Sequence, residues 1–242
     1  MHLLVVQIRL SLFAFFRIKG KKMSSFSKEN ARFNMIEQQI RPCEVIDSRV
    51  LDTLKNTPRE FFVEEEYQEL AFADIHIPLK GENVMMKPMQ EGIMLQALDV
   101  QPNDKVLEIG TGSGFITACL LSLGGEVTSF EINSEQSKIA ESNLKKAGFD
   151  QANLIIGDIF EAKLEEETFD VIALTASIHN YDKKFISLLK KGGRFFFIHG
   201  EKPVMSASVI SKGDDGEIIK KDICETLLPP LRNEPLEKVF KF

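Results

Sequence analysis

The stretch Val106–Phe115, VLEIGTGSGF in one-letter code, constrains this chain more than any other. An apolar run of strand type enters three glycines at alternate positions, and an apolar helical pattern follows at once. Glycines there permit a tight turn and let the backbone approach a ligand closely. The turn ends at a helix N-terminus, whose free N–H groups and dipole point at whatever lies in front of it.

Downstream, strand and helix patterns alternate. Glu126–Ile132 alternates like a strand and leaves Glu131 at its carboxyl end. Ser134–Gly148 reads as an amphipathic helix with a serine cap and a closing glycine. Residues 153–158 and 169–176 read as further strands. A helix through Phe185–Leu189 is expected to end at Gly192-Gly193, before a strand over Arg194–Ile198. Val204–Ile210 and Glu217–Cys224 flank a Gly-Asp-Asp-Gly turn as a hairpin. The fold class follows: a Rossmann-like, doubly wound α/β domain with a mostly parallel sheet and a C-terminal antiparallel hairpin. Ligands of such sheets sit at the carboxyl ends of the strands. Glu108, Glu131, Asp158 and Thr175 fall at or near those ends.

Two cofactor classes use this layout. A dinucleotide fingerprint needs G-x-G-x-x-G, but Phe115 stands where its last glycine belongs. Glu108 lies two residues before the first glycine, where a negative charge opposes a pyrophosphate. S-adenosylmethionine has no phosphate and carries a sulfonium and an ammonium, so an acidic loop suits it. Glu131 can accept from the two ribose hydroxyls and Asp158 from the adenine amino group. The cofactor set expected from the pattern is Glu108, Gly110, Thr111, Gly112, Ser113, Gly114, Glu131, Ile132, Asp158, Ile159 and Thr175. The plainer alternative is a tight strand-to-helix turn with solvated carboxylates.

Charge narrows the partners. Residues 1–22 hold five basic residues and no acidic one, which leaves 25 Lys+Arg against 36 Asp+Glu in the remainder. A body that acidic is a poor grip for a nucleic-acid backbone. The apolar run Met1–Phe16 is interrupted by Gln7 and Arg9 and is shorter than the roughly 20 residues a bilayer span needs, so no stable membrane insertion is expected. Residues 1–22 read as an extension outside the fold, with Met23 opening a single domain over 23–242. Three widely spaced cysteines, without metal-like spacing to the histidines, read as reduced thiols of a cytoplasmic protein.

Before the glycine loop, residues 30–39 and 47–54 read as short helices divided by Pro42, part of a helical cap over about residues 23–80. Asp74–Pro88 is loop-like, and a helix over Met89–Leu98 follows. Met85 and Met86 are either gap-filling core or a wall of the substrate pocket. His76 reads as structural.

The chain resembles the protein-L-isoaspartate O-methyltransferases, particularly their bacterial relatives. The resemblance rests on MIEQQIRP (35–42), Pro58–Val63, the loop before Pro88, Val106–Phe115, LKKGG (189–193) and the late Pro-Pro-Leu-Arg. It implies methyl transfer from S-adenosylmethionine to the α-carboxylate of isoaspartyl residues in damaged proteins, hence a protein or peptide substrate. Relatives carry G-Q-T-I-S before the loop proline, and the serine contacts the acceptor carboxylate. Counting back from Pro88 puts Met86 at the serine, Val84 at the threonine and Asn83 at the glutamine. The substrate pocket implied is Asn83, Val84, Met85, Met86 and Arg232. The alternatives are a methyltransferase of the same fold with a less polar acceptor, or a non-catalytic S-adenosylmethionine-binding module.

Overall fold

The computed structural model describes residues 25–179 and 183–235. The expected extension over residues 1–22, and the final tail, lie outside the described residues. The chain begins with helix α1, Ser25–Asn34, which runs into a single π-type turn, Met35–Ile40. The helical pattern expected over 30–39 thus starts earlier and loosens before Pro42. Helix α2, Ser48–Asn56, is capped by Asp47, whose carboxylate accepts from the Arg49 N–H at 2.8 Å. Two short 3-10 segments, Arg59–Phe62 and Glu65–Leu70, follow.

Strands β1 (Ile77–Pro78) and β2 (Val84–Met85) pair antiparallel and turn the expected loop into a small hairpin. Helix α3, Pro88–Leu98, starts on its proline, which needs no N–H at that position. Then come β3 (Lys105–Ile109), α4 (Phe115–Ser122), β4 (Glu126–Glu131), α5 (Ser134–Ala147), β5 (Asn153–Ile156) and β6 (Phe169–Ile178). Helix α6 (Lys183–Leu188), β7 (Leu189–Glu201), β8 (Val204–Lys212) and β9 (Ile218–Thr226) complete the elements. The sheet runs β5-β4-β3-β6-β7-β8-β9, parallel as far as β7 and antiparallel through β8 and β9. The expected doubly wound sheet with its terminal hairpin is what forms. Strand order reverses between β3 and β6, and a crevice opens there at the carboxyl ends.

Two details correct the sequence reading. The cap of α5 is Asn133, accepting from the N–H groups of Glu135 and Gln136, and Ser134 is already helical. Gly192 and Gly193 lie inside β7 rather than ending α6. Leu189 pairs with Phe169 and Arg194 with Val171, so the residues between them form a bulge. Burying Leu189 completely favours pairing it over continuing the helix.

The two faces of the sheet are packed differently. Leu107, Ile109, Phe130, Ile172, Leu174, Phe195 and Phe197 meet α6 in an apolar layer, with Phe195 and Phe197 stacked at 4.8 Å. On the other face Val106, Val171, Phe196 and Ile198 share one core with α2, α3, α4 and the π turn. That face also buries charge. Arg59, without solvent exposure, forks onto Glu91 at 2.9 and 3.0 Å and donates to the carbonyls of Ala71 (2.8 Å) and Met86 (2.7 Å).

Candidate functional site

A cleft opens at the carboxyl ends of β3, β4 and β6, where open α/β sheets bind their ligands. Its floor is the turn after β3. Gly110 adopts φ +95°, and a Cβ there would stand 2.4 Å from Thr175 Oγ1. That hydroxyl lies 2.6 Å from the Gly110 carbonyl and 3.0 Å from that of Ile109, so the turn is pressed against β6.

Glu131 is 4% exposed at the end of β4. Its carboxylate accepts from the Gly112 N–H and the Asn133 N–H, each at 3.0 Å. Each oxygen keeps a second lone pair for a hydroxyl donor. Asp158, just past β5, accepts from Phe160 N–H at 2.9 Å and from the Asn233 amide at 2.8 Å. Ile132 and Ile159 supply apolar lining beside these carboxylates, together with Phe130.

Glu108 is placed elsewhere. Pleating aims it at the opposite face from Leu107 and Ile109, directly across from Ser129 on β4. Oε2 accepts from Thr117 (2.5 Å) and Ser129 (2.6 Å), and Ser129 also meets Thr111 at 2.6 Å. Oε1 is buried with no hydrogen-bond partner among the described residues. Burial pushes the Glu108 pKa up to about 7, with the nearby Glu131 adding to the rise. Glu108, Thr111 and Ser113 line a smaller chamber behind the glycine turn, which shares Leu79, Val84, Gly110, Gly112 and Thr175 with the main cleft. Gly114 lines neither space; it packs against Ala140 and Leu144 of α5.

The residues expected to form the substrate pocket divide in the same way. Asn83, Val84 and Arg232 line the main cleft, while Met85 and Met86 are 4% and 3% exposed and border the rear chamber. The fourth wall is a strap, Leu228–Asn233. Ser177 holds it with its N–H on Pro229 O (2.9 Å), its carbonyl under Leu231 N–H (2.7 Å) and its hydroxyl on Leu228 O (2.9 Å). Arg232 reaches from the strap to the carbonyl of Gly81.

Besides Ser177 and the Asn133 cap, the sequence reading missed Gln136 and Arg59. Gln136 donates to Gly112 O at 2.7 Å and accepts from Lys80 N–H at 3.2 Å, tying the glycine turn to the loop before Pro88. Arg59 fixes the Met86 carbonyl from 27 residues away. Asn133-Ser134 signals a helix start, but no local pattern announces either contact.

The donor set fits S-adenosylmethionine rather than a phosphate ligand. Glu131 and Asp158 can accept from hydroxyl and amino groups, and Glu108 brings an unpartnered oxygen beneath the turn. Sheet order, glycine turn and acceptor-only carboxylates together define a Rossmann-like α/β methyltransferase. The sequence pattern of the protein-L-isoaspartate(D-aspartate) O-methyltransferase family matches residues 30–235. A protein-L-isoaspartate O-methyltransferase of Koribacter versatilis is 32% identical over 190 residues, 78% of this chain and 85% of the relative. One from Aeropyrum pernix is 32% identical over 208 residues, 84% and 80% of the two chains. The chain belongs to the protein-L-isoaspartate(D-aspartate) O-methyltransferase family. A Plasmodium falciparum structure described as such an enzyme, in complex with S-adenosyl-L-homocysteine, shares the fold. Its TM-score is 0.73 at 18% identity, over 86% of this chain and 99% of that one.

Proposed function

We propose that this protein is an S-adenosylmethionine-dependent methyltransferase that esterifies the α-carboxylate of isoaspartyl residues in proteins or peptides. The observation that carries the proposal is the extent of the family match, which takes in the cofactor turn, the acceptor loop and the strap alike. Residues 110, 112, 131, 132, 158, 159 and 175 gather around the cofactor, with Glu131 taking the ribose hydroxyls and Asp158 the adenine amino group.

Bound S-adenosylmethionine supplies a methyl group on a positively charged sulfur. An acceptor carboxylate oxygen would bond to that carbon, with the carbon–sulfur electron pair left on sulfur. The carboxylate is already ionised at neutral pH, so no proton has to move and no general base is needed. What the chain contributes is alignment and exclusion of water. Leu79, Val84, Pro229 and Pro230 give the acceptor end of the cleft its apolar walls.

Val84 and the buried Met86 also favour a second reading, a less polar acceptor on the same fold. Calorimetric binding of S-adenosylmethionine, followed by methyl transfer to an isoaspartyl peptide, separates the two. Binding with transfer supports the isoaspartyl reading. Binding without transfer leaves the second, and no binding rejects both. Among the described residues no helix is long and apolar enough to cross a membrane. We place the protein in the cytoplasm on its three unpaired cysteines.

A further inference from the structure

An anionic acceptor needs a donor in the cleft. Glu131 and Asp158 can only accept when ionised, and the single hydroxyl proton of Thr175 is committed to the main chain beside it. Met86 is packed in the core, so the acceptor loop offers no hydroxyl at that position. Among the polar side chains lining the cleft, Asn83 and Arg232 remain as donors.

Arg232 is held ready. Leu231 before it is fastened to Ser177, and Asn233 after it is fastened to Asp158. One guanidinium nitrogen donates to Gly81 O, and no carboxylate partner is recorded for the group among the described residues. Gly81 makes the placement possible. At φ +72° it carries no Cβ, and one built there would stand 2.9 Å from Arg232 Nη2. A fork of N–H donors on a fixed strap matches a planar carboxylate.

We propose that Arg232, assisted by Asn83, receives the α-carboxylate of the acceptor and makes the cleft selective for anionic over neutral acceptors. This inference rests on the isoaspartyl reading above. The guanidinium takes one edge of the carboxylate and leaves a lone pair for the methyl carbon. Its loss therefore acts on acceptor binding, and the cofactor subsite is unaffected.

The test compares wild type with Arg232→Leu and Arg232→Lys. It measures methylation of an isoaspartyl peptide, competition by the same peptide with that carboxylate as a carboxamide, and calorimetric binding of S-adenosylhomocysteine. Arg232→Leu should raise the isoaspartyl KM about 10- to 100-fold, the loss of a hydrogen bond to a charged group, while the cofactor-product Kd stays within about two-fold. Wild type should prefer carboxylate to carboxamide, Arg232→Leu should not, and Arg232→Lys should restore part of the preference as a point charge. Equal weakening of both peptides, or preference retained in Arg232→Leu, would overturn the inference while leaving the isoaspartyl reading intact. Wild type that binds the cofactor but leaves the isoaspartyl peptide unmethylated overturns that reading and this inference with it.

Discussion

The cofactor side and the acceptor side of the cleft are held by different means. On the cofactor side, main-chain N–H groups do most of the work: Gly112 and Asn133 orient Glu131, and Phe160 orients Asp158, with one long-range side chain, Asn233, joining them on Asp158. On the acceptor side, long side chains reach across the fold. Arg59 pins Met86, Arg232 pins Gly81 and Gln136 pins Lys80. A site oriented by main chain tolerates change around it. One held by distant side chains makes acceptor geometry depend on the cap and on the strap.

Four substitutions sharpen that contrast, beginning with the largest effect. Arg59→Met leaves Glu91 buried without its partner and should cost about 3–5 kcal/mol in chemical denaturation. Replacing Glu91 with Leu as well should recover most of it, since a buried pair is worth little beyond apolar packing. A single variant as stable as wild type would remove the ion pair from the account of the acceptor loop.

Gly110→Ala attacks the other side. Backbone strain at φ +95° alone costs about 1–3 kcal/mol, and the 2.4 Å approach to Thr175 adds to it. Calorimetry should find S-adenosylmethionine affinity lost while the cap stays folded. Removing the hydroxyl with Thr175→Ala should recover only the part due to contact.

Glu108 gives a pH signature. Its folded pKa of about 7 stands above the ordinary 4.5, so its contribution to stability is fully present below pH 4.5 and is lost as pH rises through 7. Glu108→Gln should therefore gain on wild type by at most about 3 kcal/mol in the ligand-free protein at high pH, and by little in acid. A cationic ligand nearby favours the ionised form, so wild-type affinity for S-adenosylmethionine should tighten as pH rises through 7. A flat profile in both measurements would show that Glu108 does not titrate in this range.

The smallest effect expected is that of Glu131→Ala, which should weaken S-adenosylmethionine binding by about 1–3 kcal/mol with little change in acceptor KM. Unchanged affinity would refute its assignment to the ribose.

The same contrast sets how much of the molecule could be read in advance. The parallel sheet, the terminal hairpin and the cleft's floor follow from patterns that each occupy a dozen residues or fewer. Even Glu131 is placed by local alternation within its strand. The orientation of Glu108 is also a matter of strand period, since it must face away from Leu107 and Ile109, yet its acidic character suggested the cofactor rather than the core. Arg59, Gln136 and Ser177 could not be read, because each acts on a partner far along the chain and nothing local distinguishes them from a surface residue. Asn133 was overlooked for the opposite reason. Ser134 beside it is an equally good cap by composition, and only the backbone angle decides which residue stays outside the helix.

The strap anchored by Ser177 has a consequence for how the protein comes into being. Gly110, Glu131 and Asp158 leave the ribosome early, but the wall that encloses them belongs to a segment synthesised near the end of the described chain. A growing chain can have its sheet order and glycine turn in place and still have an open crevice in which water competes with any acceptor. Methyl-transfer competence then arrives only once residues 228–233 have been made and seated on Ser177.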